Sequence, residues 1–426
     1  MKRLINTTAL IAAVLIASMP AVAGSLKVVP AEDVGMSSDR LARIPERFQA
    51  FVDDGRSAGF QIIISRRGKV VMHENIGHAD ISNGDEIDDD TLFRVYSMTK
   101  PIVGAAMMIL YEEGHFALSD PIAKFIPAFE NVKVYAGEDD AGVIVLEDPE
   151  RPPTMHDLFQ HTAGFTYGIF GDTPVDKMYR DSGMIDYDAK LSDLIDKLAE
   201  IPLLFQPGSR YEYSVAVDVQ GYIIELLTGM DAGDFIRERI FEPLGMDETM
   251  TWVPPRYADR FAAVHTHDEN GTLIAYSDEL YPDISVNNYL REPGFFSGGA
   301  QLISTGDDYW RFAQMLLNGG EFNGNRILAR PTVGMMTANR LPETIADRRI
   351  SPGLGWGINM SVVTDPTLID VPRSIGEYRH GGLASTFFYV DPVEQIVVVM
   401  LSQYLPSSHG PYEDLMHRLV RAAIVD

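Results

Sequence analysis

Ser97 and Lys100 stand three residues apart in Ser97-Met98-Thr99-Lys100, the only S-x-x-K spacing in the chain. A serine hydroxyl is a poor nucleophile at neutral pH and needs a base within hydrogen-bond reach. A lysine can be that base when desolvation lowers its pKa. The spacing supplies the reach if the segment is helical, because residues three apart share a helix face. A serine at the start of a helix also has backbone N–H groups and the positive end of the dipole beside it. The N–H of Ser97 itself could then stabilise the oxyanion of an attacked carbonyl. The competing reading is a capping serine beside a surface lysine, and the four residues alone leave both open.

Other candidate chemistry is weaker. Gly55-Arg56-Ser57-Ala58-Gly59 fits G-x-S-x-G, a nucleophile elbow that requires a strand before it and a helix after it. Here the helical pattern comes first and the β-rich run second, so Ser57 reads as a turn residue. His265-Thr266-His267 places two imidazoles on one face of an extended segment beside the turn Asp268-Glu269-Asn270-Gly271. With no third ligand in view, it reads as an exposed hairpin and not a metal site. Asp88-Asp89-Asp90 and Glu138-Asp139-Asp140 lack the alternating oxygen ligands and glycine turn of a calcium loop. The absence of cysteine excludes disulfides, thiolate metal sites, a cysteine nucleophile and a lipid-modified cysteine. No metal and no cofactor are expected.

The elements that must position Ser97 follow from periodicity. Residues 38 to 54 have a helical apolar face (Leu41, Ile44, Phe48, Phe51, Val52), with Pro45 as an awkward interior residue. Phe60 to Ile64 and Val70 to Met72 flank a glycine turn and predict a hairpin. Thr99 to Gly114, Asp218 to Thr228, Tyr309 to Leu317 and Tyr412 to Val425 read as helices. Thr386 to Val390 and Ile396 to Leu401 read as strands. Strands near both ends with helices between predict an α/β fold with an antiparallel sheet flanked by helices. The expected division is residues 24–95 plus 300–426 as the sheet-containing part and 96–299 as a mainly helical part, with the site between them.

Lys2-Arg3, an apolar run from Ala9 to Met19 and Ala21-Val22-Ala23 predict a signal peptide over residues 1–23 and an exported protein, periplasmic or secreted. That run is shorter than a membrane span, and no later segment is apolar enough for one. The net charge of −26 becomes −28 without Lys2 and Arg3. Such a surface repels nucleic acid and anionic membranes.

Four segments resemble one family. Phe93 to Ile102, around Ser97 and Lys100, resembles the first motif of the serine β-lactamase and penicillin-binding-protein superfamily. Within it the match is to the class C β-lactamase-like esterases, or family VIII carboxylesterases. Pro207 to Val215, containing Tyr211-Glu212-Tyr213-Ser214-Val215, resembles the second motif and its lead-in. Arg379-His380-Gly381-Gly382 resembles the third. Leu158 to Phe165 resembles a signature between the first two. Gly298-Gly299 and Trp356 resemble family core positions, and no chemistry is assigned to them.

The resemblance implies a β-lactamase/transpeptidase-like fold with a mainly helical second domain. Ser97 would be the acylated nucleophile, with Lys100 and Tyr213 sharing proton transfer. The backbone N–H groups of Ser97 and Leu383 would form the oxyanion hole. Tyr211 competes with Tyr213, since both lie on one face of an extended chain; the following Ser-Val favours Tyr213. His380, Gly381, Gly382 and Val215 would meet substrate. Where β-lactamases carry Tyr-x-Asn and Lys-Thr-Gly, this chain has Val215 and His380-Gly381-Gly382. Val215 offers no side-chain hydrogen bond, and an ordinary histidine is mostly neutral at pH 7. The expectation is therefore hydrolysis of small uncharged esters, with β-lactamase or D,D-peptidase activity as the alternative. A non-catalytic cell-wall or ligand-binding protein is the reading from another class. His156 and His161 are expected to be structural hydrogen-bonders near the site; Phe165, Tyr167 and Phe170 could line the acyl pocket, with an ordinary hydrophobic core as the favoured reading.

Overall fold

A computed structural model describes residues 26–278, 287–342, 345, 350–407 and 409–426. The expected leader over residues 1–23 lies outside the described residues. Among those residues, eight strands form one antiparallel sheet. Their spatial order is Leu354–Trp356, Ser361–Val363, Tyr378–Gly382, Thr386–Asp391, Ile396–Leu401, Gly59–Arg66, Lys69–Asp80 and Asp85–Glu86. The two ends of the chain meet at the centre, where Ile63 pairs with Val399.

The unbroken apolar run Ile396-Val397-Val398-Val399-Met400-Leu401 has the composition of a strand buried on both faces. Alternate side chains enter different cores. Val397, Val399 and Leu401 join Ile63 and Phe388 in the main core, with the helices Thr99–Glu112 and Gly306–Leu317. Ile396, Val398 and Met400 join Phe60, Ile62 and Ile64 against the helices Arg43–Asp53 and His409–Ala422. The last of these helices is tied down by a buried hydrogen bond between His417 and Glu377 and by ion pairs of Arg421 with Glu377 and Asp391.

The helix expected over residues 38–54 is two helices, Ser38–Leu41 and Arg43–Asp53. Pro45 has no N–H for the Leu41 carbonyl, and its ring crowds that carbonyl, so the helix restarts at Ala42 and keeps Pro45 in its first turn. Ser57 lies between this helix and the strand Gly59–Arg66, buried near Ser402 at 3.4 Å, as the reversed order required. The His265–His267 strand does pair with Leu273–Ala275, yet it is not an exposed hairpin. His265 is buried and accepts the Ile81 N–H, while His267 bonds the Tyr404 hydroxyl and the Gly55 carbonyl. Both imidazoles are engaged within the protein.

Among the described residues of segment 96–299, helices are separated by long loops and accompanied by that ladder and the Val134–Glu138/Ile144–Glu147 ladder. Among the described residues, no helix is long and apolar enough to cross a membrane.

Candidate active site

The sheet presents the strand Tyr378–Gly382 to the segment that carries Ser97. Ser97 sits in a single 3-10 turn, Tyr96–Met98, that runs directly into the helix Thr99–Glu112. Tyr96, immediately before it, is held at φ +44°, a left-handed conformation that costs energy for an aromatic residue. Its buried ring packs edge-on against Tyr289. Neighbours brace the turn: the Tyr309 hydroxyl donates to the Met98 carbonyl at 2.8 Å, and the Leu302 N–H donates to Thr99 Oγ1 at 3.1 Å. Asn359, paired with Gln220, donates to the Lys100 carbonyl at 3.1 Å. Strain is thus retained by contacts that leave the backbone little alternative.

Lys100 is no surface lysine. It is 1% exposed, and its Nζ donates to Ser97 Oγ at 3.2 Å and to the Gly299 carbonyl at 2.7 Å. Burial lowers its pKa to about 7, partly opposed by the Asp218 carboxylate. A substantial neutral fraction therefore exists at physiological pH, which a base requires.

Tyr213 completes the group. The Lys100 ammonium lies 4.5 Å from its ring centroid, and a hydrogen bond with Ser97 favours its phenolate. Burial nonetheless raises its pKa well above the ordinary phenol value. Tyr211, its rival on the same extended face, is buried against Trp356 and His161. The structure brings Tyr213 to Ser97 and Lys100.

His161 supports Tyr213 from behind. It ends the helix Met155–Gln160 in a left-handed conformation, φ +53°, and its Nδ1 receives the Ser214 N–H at 3.2 Å. Its ring lies 4.9 Å from that of Tyr213. Burial, then the nearby Lys100 charge, holds its pKa well below 6.5, so it is neutral and structural, as expected.

His380 is buried, with Nδ1 at 2.8 Å from the Gly381 carbonyl and its ring 6.3 Å from that of Tyr213. Leu383 follows the strand end and is 40% exposed. Val215 instead places its side chain in the main core, and its carbonyl accepts from Asp218 and Val219 at the start of the helix Ala216–Thr228. A groove of about 310 Å³ lies beside Tyr213 and His380, lined also by Tyr211, Trp356, Ser361 and Arg379.

The aromatic expectations divide. Phe165 is core. Tyr167 borders the site, with Lys100 Nζ 5.4 Å from its ring. Phe170 is exposed and packs on Tyr213 at the rim, so it is not core. Trp356, assigned no chemistry from sequence, walls the groove and donates Nε1–H to the Phe159 carbonyl at 3.0 Å. Sequence reasoning also passed over Asp218. The signal was present as a charged residue between Val217 and Val219 on an apolar helix.

Residues 44–422 match the Beta-lactamase family, and the chain belongs to it. The fold and family define a serine hydrolase of the β-lactamase type. An uncharacterised Mycobacterium tuberculosis protein is 34% identical over 365 residues, covering 83% of this chain and 88% of its own length. Esterase EstB of Burkholderia gladioli is 28% identical over 387 residues, covering 85% and 90%. A putative D-alanyl-D-alanine carboxypeptidase of Salmonella typhi is 26% identical over 392 residues, covering 87% and 84%. Among solved structures, EstCE1, described as a hydrolase with promiscuous acyltransferase activity, superposes with a TM-score of 0.75. It is 25% identical and covers 91% of this chain and 99% of its own.

Proposed function

We propose that this protein hydrolyses small, uncharged carboxylic esters through an acyl-serine intermediate on Ser97. The observation that carries the reading is the buried Lys100 Nζ, 3.2 Å from Ser97 Oγ. Neutral Lys100 takes the Ser97 proton as Oγ attacks the ester carbonyl. The N–H groups of Ser97 and Leu383 stabilise the oxyanion. Lys100 and Tyr213 pass the proton to the departing alcohol, and water then releases the acid by the reverse relay.

The preference for an uncharged ester is supported by what lines the groove. Arg379 is the cation there, and it is paired with Glu413 at 2.6 Å, which offsets its charge towards a substrate carboxylate. The net charge of −26 acts in the same direction. The likeness to EstB and EstCE1 supports an esterase, and the Salmonella relative keeps D,D-peptidase activity as the second reading. The basic and apolar start of the sequence supports export, with cleavage after Ala23.

The test is intact-protein mass spectrometry after a fluorophosphonate pulse on wild type and Ser97→Ala, with an aryl acetate, a cephalosporin and a D-alanyl-D-alanine peptide assayed alongside. A single adduct and ester turnover, both lost in Ser97→Ala, are expected. Labelling that survives the substitution overturns the assignment of Ser97. Turnover of the peptide or the cephalosporin far above that of the ester overturns the substrate class.

A further inference from the structure

Asp218 lies in the first turn of the helix Ala216–Thr228 and is 2% exposed. A buried carboxylate is costly unless hydrogen bonds and nearby charge compensate it. Here the compensation comes from one place. Ser297 Oγ donates to Asp218 Oδ1 at 2.6 Å, and the Gly299 N–H donates to the same oxygen at 3.2 Å. The Gly299 carbonyl in turn accepts from Lys100 Nζ at 2.7 Å. The backbone of Gly299 is thus clamped between carboxylate and ammonium. A side chain at 299 has no room, since an added Cβ would meet Tyr167 Oη at 2.7 Å and Asp218 Oδ2 at 3.0 Å.

We infer that Asp218 is the positioning residue for Lys100: through Gly299 it aims Nζ at Ser97, and its charge stabilises the ammonium. This rests on the reading of Lys100 as the base. The other groups around Nζ are Ser97 on its own segment, Tyr213, Tyr167 and His161. Burial keeps both tyrosines above and the histidine below the ordinary range, so all three stay neutral through the working pH range. Burial pushes the Asp218 carboxyl above its ordinary range, opposed by the Ser297 hydrogen bond, the Lys100 charge and the Gly299 N–H, and as the carboxylate it acts to raise the Lys100 pKa.

The test is the second-order rate of Ser97 labelling by a fluorophosphonate from about pH 5 to 9, on wild type, Asp218→Asn, Ser297→Ala and Lys100→Ala. Asp218→Asn keeps the shape and removes the charge. Lys100 then loses its proton more readily, so the acid limb moves down by about one pH unit. The plateau rate falls about tenfold as the Gly299 carbonyl loosens. Ser297→Ala removes the shortest donor to Asp218 and shifts the limb in the same direction by less. An unmoved limb in Asp218→Asn overturns the inference, and if that variant does not fold, an unmoved limb in Ser297→Ala does so. Lys100→Ala separates the two claims. Loss of labelling there upholds the base assignment, so an unmoved Asp218→Asn limb then sinks only the positioning role. Wild-type labelling in Lys100→Ala overturns both.

Discussion

Gly382 faces the Val95 carbonyl so closely that an added Cβ would stand 2.3 Å from that oxygen and 2.2 Å from Thr386 Oγ1. The same carbonyl accepts the Met98 N–H that closes the turn holding Ser97. Glycine is therefore required here for space. Gly382→Ala must push the strand Tyr378–Gly382 away from the nucleophile segment, and with it the Leu383 N–H. The expected result is a stability loss of about 1–3 kcal/mol and a fall in kcat of about a hundredfold. Denaturant unfolding beside steady-state ester kinetics checks both, and a variant of wild-type kcat refutes the contact.

The two tyrosines of the second motif should separate kinetically. Tyr213→Phe removes the hydroxyl bonded to Ser97, and kcat should fall by roughly 10²–10⁴ while Tm stays near wild type. Tyr211→Phe alters a ring packed on Trp356 and should leave kcat within a few-fold. Equal losses in the two variants would return the assignment to Tyr211.

The depressed Lys100 pKa sets two pH dependences. Activity should rise with pH through an acid limb near 7, as the lysine loses its proton. Stability follows by linkage. From about 7 up to the unfolded lysine value of about 10.4, the unfolded chain binds a proton at Lys100 that the folded chain does not. Folding therefore gains stability with pH across that window and bears the full cost of the buried ammonium below it. The Tm difference, Lys100→Met minus wild type, should fall as pH rises across the same range. Thermal melts of the pair at several pH values measure it, and a difference independent of pH would contradict the burial of a titrating lysine.

His161 shapes the site without carrying charge. His161→Asn suits the left-handed backbone but cannot reproduce the ring packed on Tyr213. The expected outcome is a kcat about tenfold lower with the limbs of the pH profile in place, since the native imidazole is neutral throughout. A displaced acid limb in this variant would show His161 titrating.

The central strands of the sheet and the main helices were legible because their signals are local, whereas the strands Asp85–Glu86, Leu354–Trp356, Ser361–Val363 and Tyr378–Gly382 were not read. Ile396 to Leu401 was read as a strand, and that span is the observed one. The spacing of Ser97 and Lys100 left their roles open, and the resemblance of the surrounding segments singled them out, with the following Ser-Val pointing to Tyr213. What stayed hidden depends on partners distant in sequence. Asp218 acquires meaning from Ser297 and Gly299, about eighty residues away (79 and 81). The burial of His265 depends on a bond from Ile81, 184 residues distant. Val215 was read as a substrate contact because its motif position implied one, and only the helix start beneath it shows a core residue. Pro45 was noticed as a problem, and the structure answers it with a break at Ala42 between two helices.

The central sheet pairing has a consequence for the order in which this molecule can come into being. Arg66, at the end of the first central strand, donates to the Glu394 carbonyl 328 residues later, just before the strand Ile396–Leu401 that pairs alongside it. A chain emerging from its N-terminus holds Ser97 and Lys100 early, yet the strand Tyr378–Gly382 that faces the Ser97 turn arrives near the end. Contacts of such long separation make folding slow. A chain that ends before Tyr378 therefore lacks the strand that faces the Ser97 turn.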